Sequence, residues 1–257
     1  MKAKIVFIIV VIMLLTIGCV KEANIETEQP IKQVQEMLCD IPLLRTYDDF
    51  NLYAFEHDDF DYKDEVSSLI EHIDYLNGKY SIDFDQTVNI IVHETQAEFD
   101  KYVTSEFLKG GMGFASNNEL HILAPYSDNA FMTYSKFKEI FIHEYNHLYF
   151  GSLCENELPV RWFNEGLATY ESPGYNKYTG SSVKEKIKQG MLSVTNLNEG
   201  NFFDYSGPAT IVELIEIEYG TDTIVEIFKN EKSLNEIIEL SDEALNSKWI
   251  SYINTNY

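Results

Sequence analysis

His143-Glu144-Tyr145-Asn146-His147 gathers two imidazoles and a carboxylate within one pentapeptide. The surrounding pattern predicts a helix from about Thr133 to Phe150, closed by Gly151. Four residues is just over one helical turn, so His143 and His147 stack on the same face. Glu144 lies one step round the barrel, within reach of whatever the imidazoles hold. Two imidazoles beside a carboxylate suit a catalytic zinc ion, with Glu144 as the base for the water that zinc activates.

A third ligand is the test of that reading. Eighteen residues past His147 comes Glu165, inside Trp162-Phe163-Asn164-Glu165-Gly166-Leu167-Ala168-Thr169-Tyr170. Pro159 suits the first turn of a second helix there, and Pro173-Gly174 stops it. One helix then carries two histidines and the next a glutamate. Such a hairpin converges three ligands on a tetrahedral ion and leaves the fourth position for water. Asn164 and Thr169 are candidates to hydrogen-bond the ligands from behind.

These two stretches together resemble the gluzincin zinc metallopeptidases of the peptidase MA type, over about residue 50 to the C-terminus. The resemblance implies that His143, His147 and Glu165 bind Zn(2+) and that Glu144 is the general base. It also implies a zincin-like α+β fold, an α/β lobe with a mixed sheet and the zinc helix followed by an α-helical lobe. In related gluzincins a tyrosine on the helical lobe stabilises the oxyanion, and Tyr205 is the candidate here. The strand shortly before the zinc helix is the sheet's edge in that family and pairs with extended substrate backbone, which would make Asn118 to Ala124 the edge. Gly110-Gly111-Met112 resembles the start of the motif with which aminopeptidase-type members bind a free amine. A glutamate and an asparagine follow there, whereas Gly113 and Phe114 follow here, so the amine anchor is missing.

Ahead of this body the chain begins Met-Lys-Ala-Lys, then runs apolar from Ile5 to Ile17 and reaches Gly18-Cys19. A basic start, a short apolar core and a small residue before the cut describe an export signal, too short for a comfortable membrane span. Leu15-Thr16-Ile17-Gly18-Cys19 resembles a bacterial lipoprotein box, which implies lipid on Cys19. Residues 1–18 then read as a lipoprotein signal peptide and 19–45 as a polar tether. Residues 46–257 read as one peptidase domain, with 46–150 the α/β lobe and 151–257 the helical lobe. The expected location is the extracytoplasmic face of the cell membrane.

The formal charge of −23 opposes nucleic-acid binding, because such a body cannot neutralise phosphates. It also repels anionic lipid surfaces, so membrane attachment must come from the lipid on Cys19. Asp58-Asp59-Phe60-Asp61 lacks the glycine and terminal glutamate of a regular calcium loop. Of the remaining cysteines, Cys39 and Cys154, neither has the spacing to join the metal site, and export permits a disulfide between them.

Periodicity supplies the other elements. Strands are expected over Phe50–Glu56, Thr87–His93 and Asn118–Ala124, with helices over Lys63–Asn77 (ended by Gly78) and from Thr95 through Phe107. Gly110 to Gly113 reads as a flexible loop. Ser172–Ser182 reads as a second loop, Val183–Gln189 as a short basic helix, and Ala209–Tyr219, Thr221–Lys229, Leu234–Leu240 and Asp242–Ile253 as further helices. His57, His72, His93 and His121 have no partner at ligand spacing. The expectation is a zinc-dependent metallopeptidase acting on peptide or protein substrates outside the cytoplasm, by internal cuts. The alternative is a zinc-binding envelope lipoprotein with a docking or maturation role, against which Glu144 argues, because a purely structural zinc needs no base. A zinc hydrolase of non-peptide amides also fits the residues.

Overall fold

The computed structural model describes residues 41–257 apart from 58–59, 85, 104–108, 155–157, 176, 201–204 and 231. The signal segment, Cys19 and Cys39 lie outside the described residues. The architecture is α+β, built on a mixed five-stranded sheet. Strands β1 (Leu43–Thr46), β2 (Phe50–Tyr53), β3 (Val88–His93), β4 (Gly113–Ser116) and β5 (Glu119–Leu123) lie in the order β1-β2-β3-β5-β4. β2, β3 and β5 run parallel, and β1 and β4 close the two ends antiparallel. Ordered strand therefore begins at Leu43, inside the stretch expected to be tether, and Ile41 before it is already buried.

The inner strands fold as their composition asks. Phe50, Leu52, Val88, Ile90, Val92, Leu120 and Ile122 are buried on one face of the pleat, as parallel strands covered by helices require. Helix α1 (Lys63–Tyr80) packs Val66, Leu69, Ile73 and Leu76 into that core. It runs straight through Gly78, where a side chain would meet open space, and ends at Ser81 in the left-handed conformation. Helix α2 (Gln96–Tyr102) starts at Thr95, whose hydroxyl accepts from the Glu98 amide, and stops five residues short of the expected Phe107.

Helix α3 (Tyr134–Gly151) is capped by Thr133, which accepts from the Lys136 amide. Its buried face carries Phe137, Phe141, Tyr145 and Tyr149, and this stripe presses it against the sheet. Helix α4 (Arg161–Tyr170) follows. Past it the described chain is helical: α5 (Lys177–Lys188), α6 (Val194–Asn198), α7 (Ser206–Tyr219), α8 (Thr221–Lys229), α9 (Leu234–Ile237) and α10 (Asp242–Asn256). α5 begins well before the expected Val183, α9 is shorter than expected and α6 was not anticipated. Gly166 on α4 lies so close to α7 that a Cβ would stand 2.7 Å from the Pro208 carbonyl carbon. Only glycine permits that approach.

A buried ionic network joins the sheet-side helix to these later ones. Lys79 on α1 pairs with Glu171 at 2.9 Å and with Glu216 on α7 at 2.7 Å, and the Tyr80 hydroxyl donates to Glu171 at 2.5 Å. Burial alone would lower the Lys79 ammonium, but Glu171 and Glu216 hold it above its ordinary range. Breaking one partner of such a group is costly, because the remaining charges stay buried.

Among the described residues no helix is long and apolar enough to cross a membrane. Cys154 carries a free, half-buried thiol, which burial pushes up to about 11.

Candidate metal centre

Stacking at i and i+4 on α3 brings the Nε2 atoms of His143 and His147 to 3.2 Å of each other. Glu165, one turn into α4, points its Oε2 at both, 3.4 Å from His143 and 3.5 Å from His147. Ligand atoms of all three lie within 4.8 Å of one another, the one such grouping among the described residues. Their side chains keep 14–17% of their surface exposed, so the group is open to solvent. Two imidazole nitrogens and one carboxylate oxygen with an open side fit a catalytic rather than a structural metal.

Polar side chains stand behind both imidazoles. Asn164 Oδ1 is 3.3 Å from His147 Nδ1, and Thr169 Oγ1 is 3.5 Å from His143 Nδ1. The Asn164 oxygen can only accept, so it favours the proton on His147 Nδ1. The Thr169 hydroxyl can accept from His143 Nδ1 in the same way, an arrangement that leaves both Nε2 lone pairs aimed at the common point. Both residues had been singled out for this task from sequence. Burial alone would raise Glu165 and lower His147. The two imidazoles nevertheless hold the Glu165 carboxyl far below the usual range, and Glu165 with Glu144 lifts His147 above its own. A carboxylate held ionised beside a proton-retaining imidazole is a site where a cation can replace that proton.

Glu144 sits beside this triad but is not part of it. Burial, with Glu165 adding its charge, pushes its carboxyl above the ordinary value, against the pull of His143 and His147. Upward tuning of this kind suits a group that accepts a proton and returns it. Its neighbour across the sheet edge is Gly113: a Cβ there would stand 3.0 Å from Glu144 Cγ and 2.5 Å from Ile140 Cγ2.

Here the structure corrects the sequence. The edge strand next to the histidine helix is β4, not Asn118–Ala124, which runs inside the sheet between β3 and β4. The first residue of β4, Gly113, was expected to end a loop, and no strand was expected over Phe114–Ser116. β4 turns into β5 through Asn117 and Asn118, both with positive φ (53° and 62°), the two-residue primed turn that suits a twisted hairpin.

Tyr205 stands at the start of α7 with its ring stacked over His143, centroids 5.8 Å apart and planes within 10°. Burial and the Glu165 charge push its phenol up, opposed by Arg161. It therefore remains a proton donor beside the triad.

Two residues that sequence reasoning left without a role hold the site in place. Asn146, fully buried, receives a hydrogen bond from His72 Nε2 at 2.7 Å and donates to the Ala168 carbonyl at 3.0 Å and the Ser172 hydroxyl at 3.4 Å. The available signal was a polar residue on the inward face of a helix whose neighbours are aromatic.

No family model matches the chain, and neither does any curated protein sequence.

Proposed function

We propose that this protein is a zinc-dependent metallopeptidase with a zincin-like fold, carried outside the cytoplasm on a lipid at Cys19. The observation that carries the reading is the convergence of His143, His147 and Glu165, open on one side, with Glu144 recessed beside them. His143, His147 and Glu165 would hold the zinc, which supplies Lewis-acid polarisation and an acidified water when bound. Glu144 takes the proton of the attacking water and passes it to the leaving amine. Tyr205, neutral and close to His143, donates to the developing oxyanion.

The edge strand supports a peptide as substrate. β4 pairs with β5 on one side only, and among the described residues no strand covers its other side. Extended backbone can add there without regard to side chains. Gly113 faces Glu144 and leaves no space for the acidic side chain that would hold a free amine. The Phe114 ring stacks on His121, with centroids 4.5 Å apart. Both features support internal cleavage.

Two measurements test the proposal together. Metal analysis should find about one zinc per chain, lost in His143→Ala and Glu165→Ala and kept in Glu144→Gln. Peptides with free and acetylated N-termini should both be cut internally, and Glu144→Gln should slow cleavage by roughly 10²- to 10⁴-fold. Zinc retained at full occupancy in Glu165→Ala would remove the third ligand from the scheme. Trimming of free N-termini alone would replace the endopeptidase with an exopeptidase. A zinc-loaded protein that cuts no peptide would leave the docking role.

A further inference from the structure

A cavity of about 380 Å³ opens between α1, α3 and the turn at Pro173-Gly174. It is separate from the metal centre, yet one of its walls is the same helix. Ser135, Lys138 and Glu139 line it from α3, and Glu139 stands one turn before His143. The exposed residues Ser135, Pro173 and Gly174 form its mouth. From α1 comes Glu65, only 1% exposed, with both carboxylate oxygens buried and no hydrogen-bond partner for either.

That carboxylate is the anomaly. A carboxyl group taken out of water without a partner is costly, so buried carboxyl groups are normally found paired. Hydrogen bonding toward Glu65, followed by burial and the Glu65 charge, pushes the Tyr134 phenol up to about 12, yet this half-exposed phenol stands beyond close hydrogen-bond distance of either oxygen. The cations nearby are engaged elsewhere: Lys136 pairs with Glu139 at 3.2 Å, and the Lys138 ammonium lies over the Tyr134 ring, 5.8 Å from its centroid. A metal ion fits poorly, because Glu65 belongs to no group of three potential ligands among the described residues. An organic cation on a long apolar stem fits better: its charge meets Glu65 while its methylenes fill the cavity.

We infer that this cavity is a specificity pocket for a basic side chain, arginine or lysine, of the substrate, an inference that rests on the peptidase reading. One helical turn places Glu139 about 6 Å along α3 from His143. An extended chain advances about 3.4 Å per residue, so two or three residues from the scissile bond span that distance along the helix axis.

The test uses the zinc-loaded full chain and two small probes, N-acetyl-arginine methylamide and its neutral isostere N-acetyl-citrulline methylamide. Binding is read by ligand-observed NMR. We expect the arginine probe to bind about tenfold more tightly, as one desolvated charge pair allows, and Glu65→Gln to erase the difference with zinc content unchanged. Should Glu65→Gln not fold, Ser135→Trp, an exposed change at the mouth, is expected to block both probes. Equal binding of the two probes to the native protein, or an arginine preference that survives both variants, overturns the pocket. A parallel peptide pair with arginine or citrulline near the cleavage point separates the two readings. No cleavage of either peptide, with the arginine preference intact, removes the peptidase and keeps the pocket. Equal cleavage with equal probe binding does the reverse.

Discussion

The side-chain amide of Asn146 donates to the main-chain carbonyl of Ala168 at 3.0 Å, and so ties the helix that carries His143 and His147 to the helix that carries Glu165. The same carbonyl accepts from the Ser172 hydroxyl at 2.6 Å, and the Asn146 oxygen accepts from His72 on α1. Three elements are thereby registered at one amide. The separation of Glu165 from His143 and His147 follows from that registration, because α4 is too short to settle its own angle against α3.

Asn146→Ala is therefore expected to cost about 1–3 kcal/mol, since it leaves a buried carbonyl and an imidazole N–H with one partner fewer. Zinc affinity should fall roughly 10- to 100-fold, as when a group that orients a metal ligand is removed. Chemical denaturation and metal competition with a chelator measure the two effects. A loss of stability with unchanged zinc affinity would mean that the amide only supports the core.

Gly113→Ala tests the closeness of the sheet edge to the base. Its new methyl would stand 2.5 Å from Ile140 Cγ2 and 3.0 Å from Glu144 Cγ, so one of them must move. Displacement of Glu144 by an ångström misaligns proton transfer, and about a 100-fold fall in kcat is expected with zinc content unchanged. Steady-state kinetics beside metal analysis decides the matter. An active Gly113→Ala enzyme would show that Ile140 yields instead.

The convergence of His143, His147 and Glu165 was legible because the chemistry of a metal site dictates such spacing: four residues on a helix, then a carboxylate on the next. Thr221–Lys229 was legible to the residue, since Gly220 marks its start and an apolar stripe its length. The sheet's edge was not legible, because strand order is set by packing and leaves no mark on the local pattern. Gly113 read as loop on propensity, yet the approach of Ile140 and Glu144 demands it within a strand. The Asn117-Asn118 pair is a hairpin signal in the sequence itself, since asparagine tolerates the positive φ that both residues adopt. β1 gave little to read: it is short, mostly exposed and bulged between Leu43 and Arg45.

The histidines away from the metal centre set a pH dependence. Burial, with His121 alongside, lowers the His93 pKa to about 3, and burial lowers that of His72 as well. In the unfolded chain both titrate near 6.5. Below that pH the unfolded state binds protons that the folded state refuses, so stability falls as pH drops through 6.5 and keeps falling toward 3. The excluded His93 imidazole accounts for about 2 kcal/mol by pH 5, and His72 adds to the fall in the same direction. The Glu119 carboxylate accepts from His121 Nε2 at 3.2 Å, which leaves His121 Nδ1 to accept from His93 Nε2 at 3.0 Å. His93→Gln keeps a donor at that point and should flatten the fall between pH 7.5 and 5. A denaturation midpoint that moves with pH equally in both proteins would place the dependence elsewhere.

Tyr205 is one of 17 tyrosines in the chain, and its stacking on His143 alone would suit a packing residue as well as a catalytic one. Removal of the hydroxyl separates the roles, since Tyr205→Phe keeps the ring against His143 and the start of α7 intact. An oxyanion donor contributes only where charge develops, so its loss lowers kcat and kcat/KM together and leaves KM in place. A fall of about 10²- to 10³-fold in kcat is expected, with zinc content and thermal midpoint unchanged. The phenol is pushed up by burial and by Glu165, so the native enzyme should keep its donor on the alkaline side beyond the ordinary tyrosine range. Peptide hydrolysis measured across pH in both proteins reads this directly. A Tyr205→Phe enzyme with native kcat would leave the oxyanion to the metal alone and return Tyr205 to the packing of α7 over α3.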